Sequence, residues 1–400
     1  MNLRNTILLM SGFGVVSDAI LIAYYPQFFQ IRYGLTSSLH VGAYIAAISI
    51  AVMCMLPVWA RVARRIETMH LLLYTQGLAA AFCLAAIWAP SAPWYWLLTL
   101  LMFMTKASYL LMFPYLMRLE HPDNHSLVIG ALSVVIHIGA IFGAAVGGPL
   151  LLQVGPTACL LLMAGGDLAQ MALCAYLIRR GKVVRVLSAE EKSGAVRTPR
   201  RSRAQLSALL KLCLLMFLFD FSAYLIRPFF TLYWEQSTGL YQPLLTGLVF
   251  AIPGIMALLA LWLKRVLATP PYWLDHTLGN LMLGAVGLAL QGSESLWLII
   301  LGRCLYGWAL YQVVVKLEVT LFKVSSPEVY ARDFGVTNFF QNLGVLLSSF
   351  SAGALVGVIG VPMTFMIAAS GLLLTAIIDA GWFGVDRRHR HRQGALCHAD

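Results

Sequence analysis

Acidic and basic side chains interrupt the long apolar stretches of this 400-residue sequence. A charged side chain at the centre of a membrane-spanning helix costs about 2.5–3.5 kcal/mol when it faces lipid. Eight such charges would cost roughly 20–28 kcal/mol together, more than the net stability of a typical fold. We therefore expect these groups to face a water-filled cavity or to pair with one another. The residues are Asp18, Lys106, Asp167, Asp220, Arg227, Arg303, Lys316 and Glu318.

The types of these charges suit the binding of a small anion. Arginine offers a carboxylate or phosphate a planar fork and lysine offers a point charge, so Lys106, Arg227 and Arg303 are candidate ligands. Asp18 and Asp220 are candidates for carrying protons, or for holding the cations while the site is empty. The remaining candidates are Tyr224, Lys316, Asn338 and Gln341 for substrate binding and Glu318 for proton coupling.

Three of the charges also fit a simpler interpretation. Lys316 and Glu318 could reach the membrane surface with their long side chains. Asp167 could cap or pair within its own bundle. By contrast, Asp220, Tyr224 and Arg227 follow a spacing of i, i+4 and i+7, so they share one helical face.

The composition requires membrane-spanning helices to position these groups. Hydrophobic residues make up 60% of the chain and charged residues 11%, whereas soluble domains carry about 25% charged residues. A bilayer core about 30 Å thick needs roughly 20 apolar residues per helix. Such runs predict an all-α polytopic membrane protein with twelve transmembrane helices, at residues 6–30, 38–60, 70–89, 94–117, 127–152, 156–178, 206–231, 240–263, 274–292, 295–322, 330–357 and 359–383.

The two halves of the chain repeat each other. Asp18 is followed eight residues later by Pro26, and Asp220 is followed eight residues later by Pro228, an offset of 202 residues. Independent apolar helices would not keep one register, so we expect two duplicated six-helix bundles with a site near the bilayer midplane between them. Further along the chain the offset becomes 205 residues, in the pairs Gly42 and Gly247, Arg118 and Lys323, Pro122 and Pro327, Gly130 and Gly335, Gly139 and Gly344, and Gly148 and Gly353.

Lysine and arginine indicate the orientation and the domain boundaries. We expect an N-terminal bundle at 1–178, a basic linker at 179–205, a C-terminal bundle at 206–383 and a basic tail at 384–400. Because basic segments stay in the cytoplasm, both termini should lie there, with the protein multi-pass in the plasma (inner) membrane. The basic stretches then reflect topology, so no nucleic-acid partner is expected. The arginine- and histidine-rich tail could bind metal or anionic lipid, and we interpret it as a solvated, positively charged anchor on the inner side.

Twelve spans, a repeat of six and a long basic central loop resemble the major facilitator superfamily of transporters. This resemblance implies that spans 1, 4, 7 and 10 line a central cavity, which accounts for every charge except Asp167. The family's glycine and aspartate signature after span 2 is absent. Residues 57–65 keep only its basic cluster, Arg61, Arg64 and Arg65, which indicates a divergent branch.

A second family motif is nearly complete on span 5. Efflux members carry a glycine pattern there that this chain matches except for one proline, which is Ala144. This match implies an exporter, and the alternative is generic packing, because glycines four residues apart form a smooth ridge. Residues 338–344 also resemble siderophore exporters. The matching glycines of span 5 are Gly130, Gly139, Gly143, Gly147 and Gly148.

These observations favour a secondary transporter that exports a small polar anionic metabolite, such as a carboxylate siderophore, with or without proton coupling. The alternatives are a proton-coupled importer of sugars or nucleosides and a multidrug efflux protein. No hydrolase, zinc-protease or nucleotide-binding motif occurs, and the seven cysteines are scattered. We therefore expect no enzyme activity, cofactor, metal or ATP-driven pumping, and a monomer whose partners are substrate, protons and lipid.

Overall fold

The computed structural model describes residues 3–63, 65–112, 115–116, 125–181, 183, 203–266, 276–325 and 330–396, and all regular structure in them is helical. Nine described helices are long and apolar enough to cross a membrane, and one of them, Asp333–Trp382, is long enough to cross twice. Two shorter apolar helices, Ala92–Lys106 and Thr277–Gln291, form the remaining spans. The prediction of twelve spans in two six-helix bundles is confirmed.

The spans are numbered in chain order, with spans 1–6 forming the N-half and spans 7–12 the C-half. In the N-half, span 1 is Leu3–Ile22 and Tyr25–Tyr33, span 2 is Ser38–Val62, and span 3 is Thr68–Ala85 with the 3-10 turn Ala86–Trp88. Span 4 is Ala92–Lys106, continued by the 3-10 turns Ala107–Leu111, span 5 is His125–Pro149 with the π-turn Leu150–Val154, and span 6 is Pro156–Arg179.

In the C-half, span 7 is Arg203–Tyr224 and Phe230–Thr238, span 8 is Pro243–Val266, span 9 is Thr277–Gln291 and span 10 is Leu296–Val324. Spans 11 and 12 form one helical run, Tyr330–Leu396, which breaks at Gly360 with φ 79° and ψ 170°. Because the number of spans is even, both chain ends lie on one side of the membrane, here called the terminal side, and the opposite side is called the far side. Most of the expected linker, at 184–202, and the repeat positions Arg118, Pro122 and Pro327 lie outside the described residues.

Spans 1 and 7 were each expected to be one helix, and each is two. The first helix of span 1 ends at Ile22 and that of span 7 ends at Tyr224, which are the residues four positions before Pro26 and Pro228. A proline cannot donate to the carbonyl four residues earlier and its ring clashes there. The repeated prolines therefore break the two spans at equivalent places.

The repeat also appears where the halves cross on the far side. Span 11 crosses span 2 so closely that a Cβ on Gly353 would lie 2.6 Å from the carbonyl oxygen of Ser38. A Cβ on Gly42 would lie 2.6 Å from the carbonyl oxygen of Ser349. Only glycine permits this approach of the two backbones.

Span 5 crosses span 8 in the equivalent way. A Cβ on Gly148 would lie 2.7 Å from the carbonyl oxygen of Pro243, and one on Gly247 would collide with the carbonyl oxygen of Ala144. Each of these four residues is 205 positions before or after its counterpart in the other crossing. The duplication read from the sequence is thus a structural repeat of two backbone crossings.

Candidate functional site

A buried lysine and two carboxylates form a charged cluster inside the N-half. The Nζ atom of Lys106 on span 4 lies 2.9 Å from Oδ1 of Asp18 on span 1 and 2.8 Å from Oδ1 of Asp167 on span 6. The side chains of Lys106 and Asp167 are 1% and 0% exposed, whereas that of Asp18 is 28% exposed. This cluster, called the lysine triad, holds one positive and two negative formal charges.

Neutral groups add hydrogen bonds to the lysine triad. Lys106 donates to Oγ of Ser17 over 2.8 Å, and Ser17 in turn donates to the carbonyl oxygen of Met163 over 2.9 Å. Tyr109 donates to Oδ2 of Asp18 over 3.1 Å. The lysine triad is therefore preorganised, with Asp18 as the member that water reaches.

The contacts in the lysine triad can be compared with the roles expected for Lys106 and Asp167. Lys106 was expected to bind an anionic substrate, with aspartates holding the cations while the site is empty, and it contacts two carboxylates within its own half. Asp167, which was expected to cap or pair within its own bundle, is one of those carboxylates. The sequence spacing concealed this contact because the two residues lie on different spans, 61 positions apart.

A second polar cluster lies inside the C-half and has a different composition. Arg303 on span 10 is 6% exposed. Its guanidinium donates to the carbonyl oxygens of Val249, over 3.3 Å, and of Phe250, and to Oε1 of Gln291 over 3.4 Å. Its Cζ atom also lies 3.9 Å from the ring centroid of Phe230. The donors of Arg303 are thus occupied by acceptors on spans 8 and 9.

Span 7 supplies the other members of the C-half cluster. The Cζ atom of Arg227 lies 5.1 Å from the ring centroid of Tyr224, at the break between the two helices of the span. One turn further in, Asp220 is 5% exposed and its Oδ2 atom has no hydrogen-bond partner among the described residues. Gln341 on span 11 lies near this carboxylate. Asp220 and Tyr224 lie one turn apart on the first helix of span 7, but the single helical face expected to include Arg227 is wrong, because that helix ends at Tyr224 and Arg227 lies in the break.

Charge compensation differs between the two halves. Within the described part of the chain, no carboxylate lies within 4.0 Å of the guanidinium of Arg227 or Arg303. The N-half cluster has an excess of negative charge, and the C-half cluster has cations without an ion-pair partner. This asymmetry is the main electrostatic feature of the interior.

The other expected site residues occupy the terminal-side half of spans 10 and 11. Glu318 is exposed and Lys316 is half-buried. Asn338 is half-buried, and its side-chain oxygen accepts a hydrogen bond from Asn342 over 2.9 Å. Their roles in binding or proton coupling stay predictions.

The glycines of the span-5 pattern pack this span against its neighbours. A Cβ on Gly139 would lie 3.1 Å from Cγ1 of Val15, and one on Gly143 would lie 3.0 Å from the carbonyl oxygen of Val16, both on span 1. Gly147 faces the carbonyl oxygen of Ile20 still more closely. The ridge expected from the four-residue spacing is present, and Gly130 lies near the start of the same helix.

On the far side, the ends of spans 1 and 7 close against each other. Gln27 donates from Nε2 to Oγ1 of Thr231 over 3.2 Å and to Oε2 of Glu235 over 3.5 Å. Thr231 donates to the carbonyl oxygen of Ala23 over 2.5 Å. All three side chains are 6% exposed or less. This group, called the far-side seam, carries the hydrogen bonds that join the two halves among the described residues.

Sequence reasoning missed several residues of these clusters. The far-side seam was not foreseen, although Glu235 is an acid near the end of a predicted span. Tyr306 was also missed, and its hydroxyl donates to the carbonyl oxygen of Ala223 over 2.5 Å. Gln170 is fully buried beside the lysine triad, and within the described part of the chain neither of its amide atoms has a hydrogen-bond partner. Uncharged polar residues inside predicted spans were the available signal.

Comparisons with solved structures agree with this architecture. No protein-family model and no curated protein sequence matches this chain. Among solved structures, it is similar to the nucleoside transporter NupG, with TM-score 0.70, 14% identity, and coverage of 96% of this chain and 99% of that one. It is similar to the POT family transporter PepTSo, with TM-score 0.73, 10% identity and 98% of both chains covered.

The human organic anion transporter MFSD10 is a third similar structure. Its TM-score is 0.67 at 18% identity, with 94% of this chain and 98% of that chain covered. At such identities the likeness concerns the path of the backbone, which is similar over nearly the full length of all three. The chain therefore has the major facilitator fold of two duplicated six-helix bundles.

Proposed function

We propose that this protein is a secondary transporter for a small polar solute that carries a carboxylate or phosphate group. The observation that carries the proposal is the charge asymmetry between the halves. The only buried cation of the N-half cluster already contacts two carboxylates, whereas the C-half arginines contact none among the described residues. An anionic group would compensate charge in the C-half and would be repelled by the N-half.

Arg227 is the proposed ligand for this anionic group. The donors of Arg303 are occupied by two carbonyls and Gln291, so this residue holds spans 8, 9 and 10 together and adds a positive field. Arg227 lies at the helix break of span 7, where its planar guanidinium is stacked near Tyr224 and remains half-exposed. A guanidinium in this setting can offer two parallel donors to one carboxylate.

Asp18 is the proposed proton carrier. It is the most exposed member of the lysine triad, so water can deliver a proton to it. Protonation of Asp18 would leave Lys106 and Asp167 as a neutral pair, which removes the excess negative charge. Falling pH would therefore favour the approach of an anion to the cavity, and rising pH would oppose it.

Export is the proposed direction, with the termini in the cytoplasm. An inside-negative membrane drives an anion outward by about 2.3 kcal/mol per charge per 100 mV. The glycine motif of span 5 supports the same direction, and a carboxylate siderophore belongs to the proposed substrate class. Import of nucleosides or sugars is the second candidate, supported by the amides of Asn338 and Gln341 and by the likeness to a nucleoside transporter.

Transport by the purified protein in liposomes tests these proposals. Radiolabelled citrate, uridine and glucose would be offered with an imposed pH gradient or an imposed potential, in both directions. We expect citrate to move and Arg227→Gln to raise its half-saturating concentration about 10- to 100-fold, the cost of losing a hydrogen bond to a charged group. Transport of uridine or glucose without citrate would support the importer instead.

Arg180→Gln is the matched control for this experiment. Arg180 also places its guanidinium near a tyrosine ring, 5.3 Å from the centroid of Tyr176, but it lies at the end of span 6 outside both clusters. We expect this variant to transport like the parent protein. Equal losses in the two arginine variants would remove Arg227 from the proposed site.

A further inference from the structure

A groove opens on the outer surface of the C-half, between the terminal-side ends of spans 7 and 12. Its volume is about 400 Å³, and it is lined by Arg203, Lys211 and Trp382 together with leucines of span 7. Those leucines are Leu206, Leu210 and Leu214, which are 47%, 54% and 41% exposed. The groove is separate from the two charged clusters and faces the surrounding membrane.

The polar and apolar groups of the groove are separated along the membrane normal. Arg203 is the first residue of its helix, so it lies at the terminal-side surface. Leu214 follows eleven residues later, about 16 Å deeper at 1.5 Å per residue, which is about half of a hydrocarbon core of roughly 30 Å. The groove therefore extends through one leaflet, with its cationic end at the surface and its apolar end at the midplane.

Lys211 also belongs to the cationic end of the groove, although its backbone lies deeper in the membrane than that of Arg203. Helical side chains point toward the N-terminus of their helix, which for span 7 is the terminal side. The Nζ atom lies 5.9 Å from the ring centroid of Trp382 on span 12. Tryptophan prefers the level of the lipid headgroups, so this pair marks the depth at which a headgroup phosphate would lie.

We propose that this groove binds one anionic phospholipid, with its phosphate between Arg203 and Lys211 and an acyl chain on the three leucines. The charges and the depth favour this occupant. No lining residue is acidic, so a second copy of the chain would bring like charges together at this surface. The segment that follows Trp382 contains Arg387, Arg388, Arg390 and Arg392, and its positive charge makes it unsuitable as a cover.

Lipid binding by the purified full-length protein tests this proposal. The protein in neutral detergent would be titrated with phosphatidylglycerol or with phosphatidylcholine of the same acyl chains, and bound lipid would be counted by native mass spectrometry. We expect phosphatidylglycerol to bind at least about ten-fold more tightly. Lys211→Gln and Arg203→Gln should each weaken its binding about five-fold, because a cation near an anionic headgroup contributes roughly that factor.

Arg180→Gln serves as the control, because Arg180 is a basic residue at the terminal-side end of span 6, away from the groove. It should leave lipid binding unchanged. Equal binding of the two lipids, or equal loss in the control, would overturn the proposal. Competition by soluble glycerol phosphate at the concentration of the lipid would also overturn it, since the leucines would then contribute nothing.

Discussion

Removal of charges from the lysine triad should produce strongly non-additive effects on stability. Lys106 is 1% exposed and contacts both Asp18 and Asp167 within 2.9 Å. Lys106→Met leaves two carboxylates without a cation, and loss of one partner of a buried ion pair costs about 3–5 kcal/mol. Asp18→Asn or Asp167→Asn instead leaves one lysine with one carboxylate. We expect each of these single variants to cost about 1 kcal/mol, the usual effect of a point substitution.

The double variant separates this model from independent contacts. Asp18→Asn with Asp167→Asn leaves a buried lysine without any carboxylate, so its cost should return to about 3–5 kcal/mol. If the two single effects simply added, the cost would be about 2 kcal/mol. The difference, about 1–3 kcal/mol, is the coupling expected for residues that share one partner.

Reversible unfolding in mixed micelles measures these free energies, with tryptophan fluorescence as the signal. Lys211→Met is a suitable control, because Lys211 is only half-buried and contacts no carboxylate among the described residues. It should change the unfolding free energy by less than about 0.5 kcal/mol. The reasoning fails if Lys106→Met costs no more than either aspartate variant, or if the double variant equals the sum of the singles.

Three other perturbations have definite expected results. Asp18→Asn should make citrate transport less dependent on pH than in the parent protein, and an unchanged pH profile would exclude Asp18 as the proton carrier. Gly353→Val should lower the apparent melting temperature, because a side chain there would meet the backbone of span 2, whereas Gly357→Val, at an open position, should not. Thr231→Val removes the hydrogen bond to the carbonyl of Ala23. Hydrogen–deuterium exchange in the helix Tyr25–Tyr33 should therefore become faster than in the parent protein. Equal exchange in the two proteins would refute the far-side seam.

The fold could be predicted because its signals are local or periodic. Apolar runs of a fixed length mark each span, and the repeated Asp18 to Pro26 and Asp220 to Pro228 spacing marks the duplication. Even the breaks in spans 1 and 7 are encoded locally, since each helix ends four residues before its proline. The two prolines therefore predict four helices where spans 1 and 7 were each expected to be one helix.

The candidate site was predictable only as a set of residue types. The cost of charge in lipid identified the ionisable residues, but it did not indicate their partners. The pairing of Lys106 with Asp167 joins spans 4 and 6, and the carbonyl ligands of Arg303 come from span 8. Such contacts depend on the rotation and tilt of whole helices, which local sequence does not specify.

By itself, then, the sequence determined that this chain crosses the membrane twelve times in two related halves, because the thickness and low polarity of a bilayer restrict length and composition directly. The tertiary structure alone decided which charges neutralise each other and which remain uncompensated. Electrostatic interactions act over a few ångströms between residues far apart in the chain, so compensation follows from helix packing. The contrast between an enclosed Lys106 and a half-exposed Arg227 is the result of that packing.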